Sequence, residues 1–270
     1  SQFQKDTAAS NGTQVPPSAQ QEPLIAFVRD TNGNAEIYTM HADGSGLMNI
    51  TNPPGFDGFP HWSPDGKQIV FMSNRTGNQQ LWIMNADGSD PRRLTHTQAR
   101  NYHPDWSPDG KNILFASIGE KSGNDIWILP MAGEAKPYPL LKSEFNESQA
   151  HFSPDGRYFA YVSNESGRDE IYIQSFPVGT GKWRVSTNGG WQPKWRLDGK
   201  ELYYGAIDRK LMAVPVKLDG GVEIGAATAL FQTEIAVGSP NRYAVTADGQ
   251  RFLINSPLQS RQESPFNVIL

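Results

Sequence analysis

The sequence predicts an all-β fold, a ring of six four-stranded antiparallel blades (a six-bladed β-propeller), on three observations. A turn motif recurs along most of the chain, a second apolar run follows each turn, and the copies are nearly evenly spaced. The motif reads HWSPDGKQIVF from His61, DWSPDGKNILF from Asp105, HFSPDGRYFAY from His151 and KWRLDGKELYY from Lys194, with AVTADGQRFLI from Ala244 as a degenerate fifth. The turn aspartates Asp65, Asp109, Asp155, Asp198 and Asp248 are 44, 46, 43 and 50 residues apart, near the period of propeller blades.

Each element follows from its residues. In Trp62-Ser63-Pro64-Asp65-Gly66 the aromatic ends an inner strand, proline presets φ, and Asp-Gly makes a tight turn before the next strand. The second run appears as EIYTMHADGS from Glu36, QLWIMNADGS from Gln80, DIWILPMAGE from Asp125, EIYIQSFPVG from Glu170 and KLMAVPVKLD from Lys210. Short pieces close each period at MNIT, RRLT, YPLL, WRVST and TALF, giving four strands per repeat. A blade cannot bury both of its faces alone, so Trp62, Trp106, Phe152 and Trp195 are expected between neighbouring blades. Four periods are complete. Incomplete copies at about 24–51 and from Arg242 onward bring the count to six, with the two chain ends sharing a closing blade.

Residues 1–23 are rich in Gln, Ser, Thr, Ala and Pro, without an apolar period, and are expected to be a linker or tail, part of which could add a strand to the domain at 24–270. The chain begins at Ser1, which suggests removal of a leader or an upstream domain. Composition narrows the function classes. The chain carries 26 Gly, 20 Pro and only 19% charged residues, a balance that suits short strands and turns. A net charge of −4 without a dense basic block argues against nucleic-acid binding. No apolar run is long enough to span a membrane, and the absence of cysteine removes disulfides, thiolate metal sites and cysteine nucleophiles.

The repeat unit, with its SPDG turn and its apolar strand ending in ADGS, resembles the WD-like propeller repeat of the TolB family over about 24–270. The stretch GKWRVSTNGGWQPKWRLDGKELYY, with KLMAVPVK, GQRFLINSP and FNVIL, is similar to the propellers attached to bacterial membrane-bound serine/threonine kinases. These resemblances imply a periplasmic or otherwise extracytoplasmic sensor or binding module, monomeric, with a protein or small-ligand partner at the channel mouth. The chain departs from its relatives in having no amino-terminal α/β domain of the TolB kind, no kinase Gly-rich or His-Arg-Asp loop, and no G-x-S-x-G elbow of propeller-bearing peptidases.

Chemistry, if present, is expected in the channel. The positions four and six residues before each turn aspartate lie on the innermost strand, and together they supply a polar ring of His61, His103, Asp105, His151, Lys194 and Arg242. Water-facing positions are polar in any case. Three further readings stay open: a divalent metal ion held by His61, His103, Asp105 and His151, an anion drawn by Lys194 and Arg242, or acid–base catalysis by a channel histidine. His41 and His96 are expected on surface turns. Asp30-Thr31-Asn32-Gly33-Asn34 is expected to be a hairpin turn rather than a calcium loop. The reading favours a non-catalytic binding or scaffold module without a cofactor. Its alternative is a metal-assisted hydrolase or lyase that uses the channel histidines.

Overall fold

The computed structural model describes residues 24–31, 33–52, 54–119, 123–133, 136–179, 181–235, 243–255 and 266–269. The expected tail at 1–23, with its possible added strand, lies outside them, as does Arg242. Among the described residues the strands form six separate antiparallel sheets in chain order, the all-β propeller architecture expected. The second sheet is typical. Its strands Asp57–Trp62, Gln68–Ser73, Gln80–Asn85 and Arg92–Arg93 pair each with the next. The third and fourth sheets repeat this order from Arg100–Trp106 and Glu147–Phe152, and the fifth, from Trp191–Trp195, has five strands.

The expectation of six complete four-stranded blades is corrected. The first sheet, Leu24–Thr31, Asn34–His41 and Met48–Asn49, and the last, Tyr243–Val245, Phe252–Asn255 and Phe266–Ile269, have three strands each. Among the described residues complete blades are therefore fewer than six. The first repeat has no Ser-Pro-Asp-Gly strand to serve as its inner edge, and the last has no fourth apolar run. Among the described residues no strand of the first sheet pairs with one of the last, and the expected sharing of a closing blade by the chain ends involves residues outside them.

The aromatic that precedes each turn lies between sheets, as expected. Trp106 packs on Val70, Leu81 and Ile83 of the second sheet and on Ile113 and Phe115 of its own. Phe152 meets Leu114, Ile126 and Ile128, and Trp195 meets Ala160, Val162, Ile171 and Ile173. Burying these rings from both sides contributes ~2–3 kcal/mol each and fixes how one sheet sits on the next. The turns keep their geometry by local bonding. Ser63 Oγ donates to Asp65 Oδ1 at 2.7 Å, Asp65 Oδ1 accepts the Lys67 N–H at 3.1 Å, and Gly66 sits at φ 68°, where a side chain would be strained.

The inner strands carry a feature that the repeat pattern does not reveal. Pairing shifts by one residue between Gly58 and His61, Tyr102 and Asp105, Ser148 and His151, and Trp191 and Lys194. Each shift is a β-bulge whose extra residue has positive φ: Phe59 at 56°, His103 at 52°, Gln149 at 55° and Gln192 at 52°. Four non-glycine residues in this region, one per complete repeat, mark a backbone that the ring holds in place against local preference.

Candidate functional site

The bulges divide the predicted ring into two layers. The residues four positions before each turn aspartate, His61, Asp105, His151 and Lys194, form the floor of a cavity of about 560 Å³ at the turn face of the ring. Its walls are Trp62, Trp106, Phe152 and Trp195, rimmed by Pro64, Pro108, Pro154 and Leu197. The residues six positions before, His103, Gln149 and Gln192, lie on the other side of this floor around a cavity of about 20 Å³. That is room for roughly one water molecule.

Every contact in the floor cluster crosses from one sheet to the next. Asp105 Oδ1 accepts from His61 Nε2 at 2.9 Å and from His151 Nδ1 at 2.7 Å, and its Oδ2 accepts the backbone N–H of Phe152 at 2.9 Å. His61 Nδ1 in turn accepts the N–H of Trp106 at 3.4 Å. Lys194 Nζ lies 3.1 Å from His151 Nε2, and Trp195 Nε1 donates to the carbonyl of His151 at 3.2 Å. The network assigns the protons. An ammonium can only donate, so His151 Nε2 is the acceptor and its Nδ1–H faces Asp105, while His61 carries its proton on Nε2.

The charges follow from this arrangement. Burial alone would raise the Asp105 pKa, but the charge and hydrogen bonds of the two imidazoles outweigh it and hold the carboxylate ionised, far below the usual range. Burial, with the Lys194 charge beside it, pushes His151 down to about 4 against the pull of Asp105. Burial brings Lys194 down to about 8, with Asp105 pulling the other way.

His103 does not join the cluster. Its ring stands edge-on to Phe59 at 4.3 Å and tilted on Tyr102 at 4.7 Å, and both ring nitrogens are buried without a hydrogen-bond partner among the described residues. Burial pushes its pKa down to about 3, so it stays a neutral, packed ring. The single polar ring of His61, His103, Asp105, His151, Lys194 and Arg242 is thus corrected to a compact foursome, with His103 outside it; Arg242 is not described. The bulge residue beside Phe59 and Gln149 is a histidine by identity only, and residue type does not announce a bulge.

The remaining candidates are structural. Gly33 N–H closes onto Asp30 Oδ1 at 2.8 Å, and the matching turns close from Gly77 to Asn74 and from Gly167 to Asn164 at 2.8 and 2.9 Å, as hairpins do. His96 is exposed, while His41 is half-buried at the end of its strand.

A metal ion does not fit the floor well. His61, Asp105 and His151 do offer ligand atoms within 4.8 Å of one another. Those atoms, however, already pair at 2.7 and 2.9 Å, and an ion would displace both hydrogen bonds beside the Lys194 ammonium.

Residues 3–128 match the family model of the TolB beta propeller domain. In three dimensions the chain is similar to TolB from Acinetobacter baumannii, with a TM-score of 0.71 and 17% identity over 87% of this chain and 58% of that one. It therefore spans little more than half of that protein's length. It is also similar to a putative TolB from Agrobacterium tumefaciens, with a TM-score of 0.60 and 19% identity over 78% of this chain and 81% of that one. An oligogalacturonate lyase solved in complex with manganese matches with a TM-score of 0.61 and 10% identity, over 87% of this chain and 68% of the lyase. At these identities the likeness is one of fold. No curated protein matches the chain in sequence. Among the described residues no helix is long and apolar enough to cross a membrane.

Proposed function

We propose that this chain is a non-catalytic binding module that seats a ligand, either a small molecule or a segment of a partner protein, in the cavity at the channel mouth. The observation that carries the reading is the cavity itself: about 560 Å³ with aromatic and proline walls and a few convergent polar groups at its floor, the usual make-up of a ligand pocket. The pairing of the floor also speaks for binding over catalysis. Both oxygens of Asp105 and both nitrogens of His61 and His151 are engaged, so a ligand meets a floor already paired within itself. An extracytoplasmic sensor role of the kind seen in TolB-like propellers, including those attached to kinases, fits this reading and is part of the proposal.

The test is a fluorescence titration of the purified chain against a chemically varied panel of small metabolites and short peptides, read through the wall tryptophans Trp62, Trp106 and Trp195. Saturable quenching that a bulky neutral rim substitution, Leu197→Phe, alters supports the module. A panel that yields turnover of a bound compound, or no saturable binder at millimolar concentration, overturns it. The second reading, a metal-assisted hydrolase or lyase, has the proximity of the His61, Asp105 and His151 ligand atoms in its favour. It requires a stoichiometric divalent ion in the purified protein that His61→Ala/His151→Ala removes, and metal analysis decides it.

A further inference from the structure

We infer that the ligand of the channel-mouth cavity carries a single carboxylate, seated on the ammonium of Lys194, with an apolar body held between the aromatic walls; this rests on the binding reading above. Asp105 is filled by His61, His151 and the N–H of Phe152, and each imidazole uses one nitrogen to donate and the other to accept. Lys194 donates one of its three N–H bonds to His151. Its other two have no partner among the described residues, and they lie at the floor of a cavity whose walls offer little but carbon. Those two donors face the cavity, where an incoming anion can take them in charge-assisted hydrogen bonds.

The sign and size of the ligand charge follow. A cation meets Lys194 head on. A phosphate dianion needs a second positive group; among the described residues lining the cavity Lys194 is the one lysine or arginine, and Arg196, two residues on, is spent on Asp198 at 2.7 and 2.8 Å and on Glu201 at 2.9 Å. The carboxylate of Asp105, close behind His151, further disfavours a second negative charge. A monoanion with an apolar chain matches what remains.

Titration gives the same site a pH signature. The groups that face Lys194 across the floor are His151 and Asp105, with His61 beside them and His103 behind, and burial has already lowered the Lys194 pKa to about 8. Below that pH the ammonium is present. Above it the seat loses its charge, and carboxylate affinity falls while neutral ligands are unaffected.

Two ligand sources share this chemistry, free aryl-alkanoic acids and the C-terminus of a peptide, and the experiment has an arm for each. Calorimetry compares 3-phenylpropionate to 5-phenylpentanoate with their carboxamides, and tripeptides ending in Phe or Leu as free acids with the same peptides amidated. In at least one arm the acid is expected to bind about tenfold or more tightly than its amide at pH 7. That preference should vanish in Lys194→Met and persist in Lys194→Arg, with melting curves checking that each variant is folded. Equal affinity for acid and amide, a preference that survives Lys194→Met, or no binding of acids in either arm overturns the inference. The binding module itself would still stand on any neutral ligand found in the broader panel.

Discussion

The second, third and fourth sheets obey the repeat, and the fifth breaks it at three places at once. The first three turns pair a serine hydroxyl with the turn aspartate, Ser63–Asp65 at 2.7 Å and Ser107–Asp109 and Ser153–Asp155 at 2.6 Å. In the fifth sheet Arg196 stands in for the serine and grips Asp198 with two nitrogens. The turn survives because Asp-Gly alone carries its backbone shape. Proline gives way to Leu197, whose N–H donates to the carbonyl of Ala247 at 3.3 Å, a bond that a proline could not make. That change ties the fifth sheet to the three-stranded sixth, and it leaves a leucine 66% exposed on the rim of the cavity. The channel position changes as well, from His61, Asp105 and His151 to Lys194. Regular repeats build the ring, and the departures from them fall where the ring meets its incomplete sheet and where the cavity acquires its charge.

The largest expected effect comes from the regular side of this comparison. Asp105→Ala strands donors from three neighbours, His61, His151 and the N–H of Phe152, and is expected to cost ~3–5 kcal/mol in urea unfolding. Lys194→Met, on the irregular side, leaves His151 Nε2 without its donor and is expected to cost ~1–2 kcal/mol, less than Asp105→Ala. If Lys194→Met proved the costlier change, the division between a structural Asp105 and a functional Lys194 would fail.

Acid should weaken the ring next. The folded pKa values of His151 and His103, about 4 and about 3, lie below their ordinary value of 6.5, so between these limits the unfolded chain binds more protons than the folded one. Stability is full above pH 6.5 and falls as the pH drops toward 4, by at most about 1.4 kcal/mol per pH unit for each imidazole. Melting curves across pH 7 to 4 check this, and His151→Gln should flatten the dependence.

Two smaller effects probe the fifth turn. Leu197→Pro, which restores the residue of the other turns, is expected to lose ~0.5–1.5 kcal/mol with the bond to Ala247 and to speed hydrogen exchange in the sixth sheet. Leu197→Asp should leave the melting temperature nearly unchanged, since the side chain is exposed, while weakening any carboxylate ligand severalfold by repulsion at the rim.

Much of this was legible in the residues themselves. The spacing of Asp65, Asp109, Asp155 and Asp198 gives the blades, Ser-Pro-Asp-Gly gives the turns, and the placement of Trp106, Phe152 and Trp195 gives the packing between sheets. These depend on contacts within a few residues or on a period, and the sequence displays both. His61, Asp105, His151 and Lys194 were also marked as channel residues by their place before the turn. Their partnership was not, nor the placing of His103 in a separate layer, because alternation along a strand carries no sign that the residue six before the turn aspartate is itself a bulge residue with positive φ.

The sequence alone therefore determined the type of fold, the strand order within a repeat and which positions face the channel, since turn chemistry and hydrophobic period act locally. Only the tertiary structure decided that the end sheets have three strands each among the described residues, that the channel splits into two layers, and that Lys194 meets His151 across a sheet boundary. Those outcomes rest on groups more than 40 residues apart meeting across sheet boundaries, where the packing of the ring overrides the preference of any one residue.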